Sequence, residues 1–111
     1  MHTSNISFEI ALDENRIPEK ITWAASDNPD GDLPIETKSV SIAVWDHEQS
    51  NTLRIDLWTK EMQVDEMKRF YIDSLGGLAQ NILSSTGDEF MAGEVNALCE
   101  KFVEYVLKEK K

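Results

Sequence analysis

The sequence has little cysteine and histidine, the residues that bind structural zinc and that often serve as catalytic nucleophile and base. It contains one cysteine, Cys99, and two histidines, His2 and His47. One cysteine excludes an intrachain disulfide, and with two distant histidines it cannot supply the four ligands of a structural zinc site. His2 lies near the start of the sequence and His47 in a predicted hairpin loop, so neither is placed to activate a nucleophile. We therefore expect no enzyme activity and no cofactor.

The sequence also lacks long apolar runs and an excess of basic residues. No stretch of 18 consecutive apolar residues is present, and residues 1–13 lack the basic and apolar regions of a signal peptide. Lys and Arg number 11 against 21 Asp and Glu, a formal net charge of −10. This acidity disfavours nucleic acid and anionic membranes as partners. With a single cysteine, these features predict a cytoplasmic protein without direct membrane insertion.

The 111 residues, of which 41% are hydrophobic and 29% charged, predict a chain that folds without help from disulfides or metals. This length is close to the commonest domain size. We expect one domain that spans residues 1–111.

Alternating apolar residues in the first half of the sequence predict two antiparallel β-hairpins. The first joins a run from Ile6 to Leu12 to a run from Ile17 to Trp23. If Leu12 pairs with Ile17, then Phe8 lies opposite Ile21 and all the apolar residues share one face. The segment from Ala25 to Pro34 that follows is rich in turn formers and is predicted to be a loop.

The second predicted hairpin, from Val40 to Trp58, pairs Ile42 with Ile55. Its inward residues are predicted to be core; they are Val40, Ile42, Val44, Leu53, Ile55 and Leu57. The opposite face then carries Trp45 and Trp58 at its two ends, with Arg54 and Asp56 between them. Tryptophan and arginine are enriched at binding hot spots, so these four residues are our candidate partner-binding site. In the alternative reading, the two tryptophans cover the sheet and have a structural role.

The acidic loop from Asp27 to Asp32 has clustered oxygens that a hard cation could bind. With Gly31 at the sixth position of a calcium loop, Ser26 and Thr37 take the first and twelfth positions, where acidic residues are needed. The loop therefore does not match a calcium-binding motif, and a weak cation site stays an open alternative.

After Thr59 the apolar spacing changes to that of helices. Gly87 separates two stripes, and Gly76-Gly77 within the first predicts a kink or, as we prefer, close packing on the sheet. The stripes are Val64, Met67, Tyr71, Leu75, Leu78 and Ile82, then Met91, Val95, Leu98, Phe102 and Val106. Strands followed by helices predict an α+β fold, with a four-stranded antiparallel sheet and two C-terminal helices packed on one face.

The segment NTLRIDLWTKEM, residues 51–62, and its continuation VDEMK, residues 64–68, resemble the gliding motility protein GldC family of Bacteroidetes-type bacteria. The resemblance extends upstream through LDEN and IPEKITW, between Leu12 and Trp23, and SIAVWD, residues 41–46. It implies a cytoplasmic, non-enzymatic accessory of the gliding machinery, a system linked to type IX secretion. The family has no known catalytic residues to carry over.

Two functions follow from these observations. The first is an interaction protein that binds other components of the gliding machinery through Trp45, Arg54, Asp56 and Trp58. The second is a small acidic export chaperone for unfolded clients, because the predicted order of strands and helices is similar to that of the chaperone SecB. A homo-oligomer is compatible with both and is expected for the second.

Overall fold

The computed structural model of the chain describes residues 2–27 and 34–109. The chain divides into two compact units, a strand unit from Met1 to Met62 and a helix unit from Gln63 to Lys111. Five strands lie in the first and two helices in the second, so the α+β class is confirmed. The single domain and the packing of the helices on the sheet stay predictions. Most of the acidic loop, residues 28–32, lies outside the described residues.

The strand unit contains two antiparallel sheets, so the prediction of one four-stranded sheet is wrong. The first has the order β1-β2-β3, and the second is the hairpin β4-β5. The strands are β1 (Ile6–Leu12), β2 (Pro18–Ala25), β3 (Ile35–Thr37), β4 (Ser39–Trp45) and β5 (Thr52–Trp58). The unpredicted strand β3 pairs along β2, with Trp23 opposite Ile35. With β3 added, β2 has a neighbour on each side, and within the residues described β4 and β5 pair only with each other.

The register predicted for β1 and β2 is wrong by two residues. Phe8 lies opposite Trp23 and Ile10 opposite Ile21, whereas Phe8 was expected opposite Ile21. The pairing also shifts by one residue between Ala11 and Leu12, a β-bulge. A shift of two residues keeps these apolar side chains on the predicted face, since strand side chains alternate with period two. Ile21 is fully buried there.

The turn between β1 and β2 explains this difference, because Asp13 closes it one residue later than expected. The Asp13 amide donates to the Ile17 carbonyl at 2.9 Å. Its carboxylate accepts hydrogen bonds from the amides of Asn15 and Ile17, at 2.8 and 2.9 Å. Arg16 takes the left-handed conformation, with φ 63°. The sequence showed the turn formers but not which residue would close the turn.

The register predicted for β4 and β5 is confirmed, with Val44 opposite Leu53, Ile42 opposite Ile55 and Val40 opposite Leu57. The prediction that this whole apolar face is core is wrong, since Val44, Leu53 and Ile55 are half exposed. The other three residues are half-buried. Burial thus decreases toward the hairpin loop, because a two-stranded sheet has no third strand to cover its open end.

The helix unit is an antiparallel pair, α1 (Val64–Thr86) and α2 (Glu89–Glu109). Ala79 and Ala92 are buried between them. At the far end of the pair, the Lys68 ammonium lies 2.8 Å from the Glu109 carboxylate. Cys99 is half-buried in the seam, and its Sγ lies 3.5 Å from the carbonyl oxygen of Ile72.

The start of each helix and the end of α1 are stabilised by capping hydrogen bonds. The Gln63 amide donates to the Glu66 carboxylate at the start of α1, and the Met91 amide donates to Asp88 at the start of α2. Asp88, the residue before the first residue of α2, therefore caps this helix. Gly87 ends α1 in the left-handed conformation, with φ 72°, and its amide donates to the Leu83 carbonyl.

Gly76 and Gly77 make no close contact across the helix pair, and their packing on the sheet stays a prediction. A Cβ built at either glycine meets no atom of the described chain within 4 Å. The backbone at this point of α1 has the room for a side chain. The two glycines therefore do not mark a helix contact that only glycine allows.

Candidate partner-binding face

The four candidate residues lie together on the outward face of the β4-β5 hairpin, as the predicted register required. Trp45 pairs with Thr52 beside the hairpin loop, and Trp58 pairs with Ser39 at the other end. Six residues separate these two pairs along the strands, so the tryptophans are about 20 Å apart at roughly 3.3 Å per residue. We call this surface the outward face. It consists of residues 39, 41, 43, 45, 52, 54, 56 and 58.

Arg54 and Asp56 form a hydrogen-bonded network at the centre of the outward face. Arg54 Nε donates to Asp56 Oδ2 at 3.2 Å, and Nη2 donates to Asp56 Oδ1 at 3.0 Å. Ser41 joins them, because its hydroxyl donates to Asp56 Oδ1 at 2.5 Å and accepts from Arg54 Nη2 at 2.7 Å. Such a bidentate pair fixes both side chains in one plane. The centre of the face is thus a polar network whose two charges offset each other.

These contacts lower the pKa of the Asp56 carboxyl below its usual value. The hydrogen bond from Arg54 is the largest cause and the one from Ser41 the second. Both stabilise the ionised carboxylate. Asp56 therefore stays charged, and Arg54 paired with it, at neutral pH.

Both tryptophans of the outward face are exposed to solvent. Trp45 is 69% and Trp58 50% accessible to solvent. Each residue leaves half or more of its surface open, and both the partner-binding role and the alternative structural role stay predictions. Exposed indole rings lose solvent contact when a partner covers them, which makes tryptophan a frequent hot spot.

The hairpin loop fixes the position of Trp45. Asp46, the next residue, donates its amide to the Asn51 carbonyl at 2.8 Å, and its carboxylate accepts the Gln49 amide at 2.7 Å. Ser50 adopts a left-handed φ of 52° in the same turn. An aspartate that organises its own turn in this way limits the motion of the strand end beside it.

Ser41 is the residue of the network that sequence reasoning missed. The signal was available, because the predicted register already placed Ser41 directly opposite Asp56. Cross-strand pairs of this kind are within hydrogen-bond reach. A serine between apolar residues of a strand gave no other indication of a role.

Among residues 2–27 and 34–109, no three acidic, histidine or cysteine side chains are arranged to hold a metal ion. His2 lies beside Asp27, with 3.8 Å between Nε2 and Oδ1, and 86% of its side chain is exposed. His47 lies in the exposed hairpin loop. Neither helix in the described part of the chain is long and apolar enough to cross a membrane.

The chain was compared with known protein families, with curated proteins and with solved structures. The model of one family, described as Gliding motility-associated protein GldC-like, matches residues 18–108. This match covers β2 to β5 and nearly all of both helices, and so includes the complete outward face. No curated protein and no solved structure matches the chain significantly.

Proposed function

The chain belongs to the family of gliding motility-associated GldC-like proteins, and on this basis we propose that it is a non-enzymatic accessory of the gliding machinery. It acts by binding a protein partner through the outward face of the β4-β5 hairpin. In this proposal the protein works in the cytoplasm, in the system linked to type IX secretion that the resemblance implied. The observation that carries the proposal is the exposure of Trp45 and Trp58 on one face of a two-stranded sheet.

The arrangement of the face suggests how a partner is recognised. The two tryptophans, about 20 Å apart, provide apolar anchors, and such rings fill pockets at the centre of interfaces. Arg54 and Asp56 hold each other, so the surface between the anchors is nearly neutral and already ordered. A partner therefore needs two apolar pockets at this spacing, but no strong charge of either sign.

Affinity capture from a gliding bacterium that encodes the protein tests this proposal. The bait is the full chain with Trp45 and Trp58 both changed to alanine. Phe90→Ala is the matched control, because Phe90 is an equally exposed aromatic residue of the helix unit. We expect Phe90→Ala to retain every protein that wild type captures, and the double variant to lose at least one of them. A correctly folded double variant that retains all of them contradicts the proposal.

A second candidate function, the small export chaperone, is favoured by the opposite face of the same hairpin. Val44, Leu53 and Ile55 are half exposed there, as an apolar surface for unfolded clients would be. An assay of aggregation of an unfolded client separates the two functions. A chaperone suppresses aggregation, and Ile55→Ser weakens that suppression while the tryptophan double variant keeps it. No suppression by wild type contradicts this second function.

A further inference from the structure

The first strand of the three-stranded sheet has one unpaired side. β1 lies at the end of the order β1-β2-β3, and no other strand of the described residues pairs with it. With seven residues it is longer than β3, the three-residue strand at the opposite end of the sheet. We call the unpaired side of β1 the free edge.

The free edge presents the backbone groups of three residues. Just before β1, the Ser26 amide donates to the Asn5 carbonyl at 2.9 Å, so the carbonyl of Asn5 points toward the β2 side. Successive residues of an antiparallel strand turn their N–H and C=O groups alternately toward the partner strand and away from it. Odd-numbered residues of β1 therefore bond to β2, and even-numbered residues turn outward as far as the β-bulge after Ala11. The outward residues are Ile6, Phe8 and Ile10.

An extended strand is the element that matches these outward groups. They recur at every second residue, about 6 to 7 Å apart at roughly 3.3 Å per residue, and another strand presents its own groups at the same interval. The helices α1 and α2 cannot serve, because their backbone groups are bonded within each helix except at its ends. Lysine and proline, which commonly protect unpaired edges, are absent from the sequence ISFEIAL of β1.

Glu9 indicates the charge of the strand that fits. It is exposed and is the one charged residue of β1. Lys20 and Glu36 lie on the same face of the sheet, 4.0 Å apart, so their charges offset each other. Glu9 has no ion pair within the described residues. A lysine or arginine opposite Glu9 on an added strand therefore gains a cross-strand ion pair.

The same charge disfavours a second copy of the chain. A register that pairs all of β1 with itself in a two-fold symmetric dimer places Glu9 directly opposite Glu9, and like charges opposite each other destabilise a sheet. Residues 1–62 carry five basic and twelve acidic residues, a net −7 of the total −10. Two strand units therefore repel each other, whereas a basic segment is attracted.

We propose that the free edge of β1 binds an extended segment of a partner protein as a further strand of the sheet. This segment has a lysine or arginine opposite Glu9 and apolar residues on either side of it, opposite the half-buried Phe8 and Ile10. β1 precedes residues 18–108, which the family model matches. The free edge and the outward face are thus separate surfaces, and each can be tested without the other.

The capped peptide Val-Thr-Val-Lys-Val-Thr-Val is the probe. It alternates apolar and polar residues and reads the same in both directions, so it fits an added strand of either orientation. In an NMR titration of the full chain, we expect the amide signals of Ile6, Phe8 and Ile10 to shift and their hydrogen exchange to slow. A peptide with glutamate in place of lysine binds about 5-fold more weakly.

Two further controls test the backbone pairing and the charge. Alternate N–H groups of a strand face the same side, so of two peptides N-methylated at alternate residues only one binds. Glu9→Lys reverses the preference and binds the glutamate peptide about 5-fold more tightly than the lysine peptide. Glu48→Lys is the matched variant, because Glu48 is an exposed residue of the β4-β5 loop and the change in charge is the same. It keeps the preference of wild type.

Absence of peptide binding overturns the proposal, as does equal affinity of wild type for the lysine and glutamate peptides. This comparison needs no variant, so it decides even if Glu9→Lys fails to fold. Hydrogen exchange of the chain alone identifies other occupants. Slow exchange at Ile6, Phe8 and Ile10 that strengthens with protein concentration means that a second copy fills the free edge. Slow exchange independent of concentration means that the chain fills it itself, and either result overturns the proposal.

Discussion

Arg54 donates two hydrogen bonds, of 3.2 and 3.0 Å, to the carboxylate of Asp56, which lies two residues further along the same strand. Residues two apart on a strand point to the same side, which allows the planar guanidinium to reach both carboxylate oxygens. The pair lies between Trp45 and Trp58 and neutralises the centre of the outward face. This relationship makes the face a surface for apolar anchoring, and it yields the first prediction.

Removal of the guanidinium should raise the pKa of Asp56. Arg54→Met deletes the largest cause of the lowered pKa, so the carboxyl should titrate closer to its ordinary value of 3.8. NMR titration of the carboxyl carbon measures this change. Lys60→Met is the control, because Lys60 pairs with Asp13, and its removal should raise the pKa of Asp13 and leave that of Asp56 unchanged. An unchanged Asp56 pKa in Arg54→Met contradicts the described network.

The lowered pKa of Asp56 also determines how the stability of the chain changes with pH. The pKa of Asp56 is lower in the folded chain, so its contribution to stability is complete above the unfolded value near 3.8. That contribution is lost as the pH falls through the folded pKa. Acid unfolding followed by circular dichroism should therefore begin at a higher pH in Arg54→Met than in wild type.

Alanine should have opposite effects on the free energy of unfolding at the two glycines within α1 and at the glycine that ends it. Gly87→Ala forces a side chain into the left-handed conformation and should lower the free energy of unfolding by about 1 kcal/mol. Gly76→Ala and Gly77→Ala should each raise it by about 0.5 to 1 kcal/mol, because the helix gains propensity and the added methyl group has room. Urea denaturation measures all three. Loss of stability at Gly76 or Gly77 would show that the close packing predicted from the sequence exists.

The seam of the helix pair should not tolerate a larger side chain at Ala92. This residue is 5% exposed, so Ala92→Leu overpacks the contact with α1 and should destabilise the chain by about 1 to 3 kcal/mol. Ala97 is exposed on the same helix. Ala97→Leu should therefore stay within about 0.5 kcal/mol of wild type in the same denaturation experiment. Equal effects at both positions would mean that the seam lies elsewhere on α2.

The sequence predicted most of what depends on local pattern. The alternation between Val40 and Leu57 determined the pairing of Ile42 with Ile55, and with it the positions of Trp45, Arg54, Asp56 and Trp58. Both helices and the turn at Gly87 followed from apolar spacing and the conformational freedom of glycine. In these segments the apolar spacing was compatible with only one arrangement of the strands or helices.

The features that failed depend on contacts distant in sequence or on a single turn. The edge of β2 is occupied by β3, whose three residues are too few to show alternation. The register of β1 was decided by hydrogen bonds to Asp13 that no spacing reveals. Ile55 and Leu78 fit core patterns yet are exposed, because an apolar pattern does not name the element that covers it.

The central claim is that the outward face of β4-β5, and not its apolar reverse, meets the protein partner. Photo-crosslinking in the native cell tests it most directly, with a photoreactive amino acid at Ala43 or at Val44. These neighbours lie on opposite faces of the same exposed strand segment, so they differ mainly in direction. We predict a crosslinked partner from position 43, lost when Trp45 and Trp58 are changed to alanine, and none from position 44. A crosslink from position 44 alone, or from neither position, would contradict the claim.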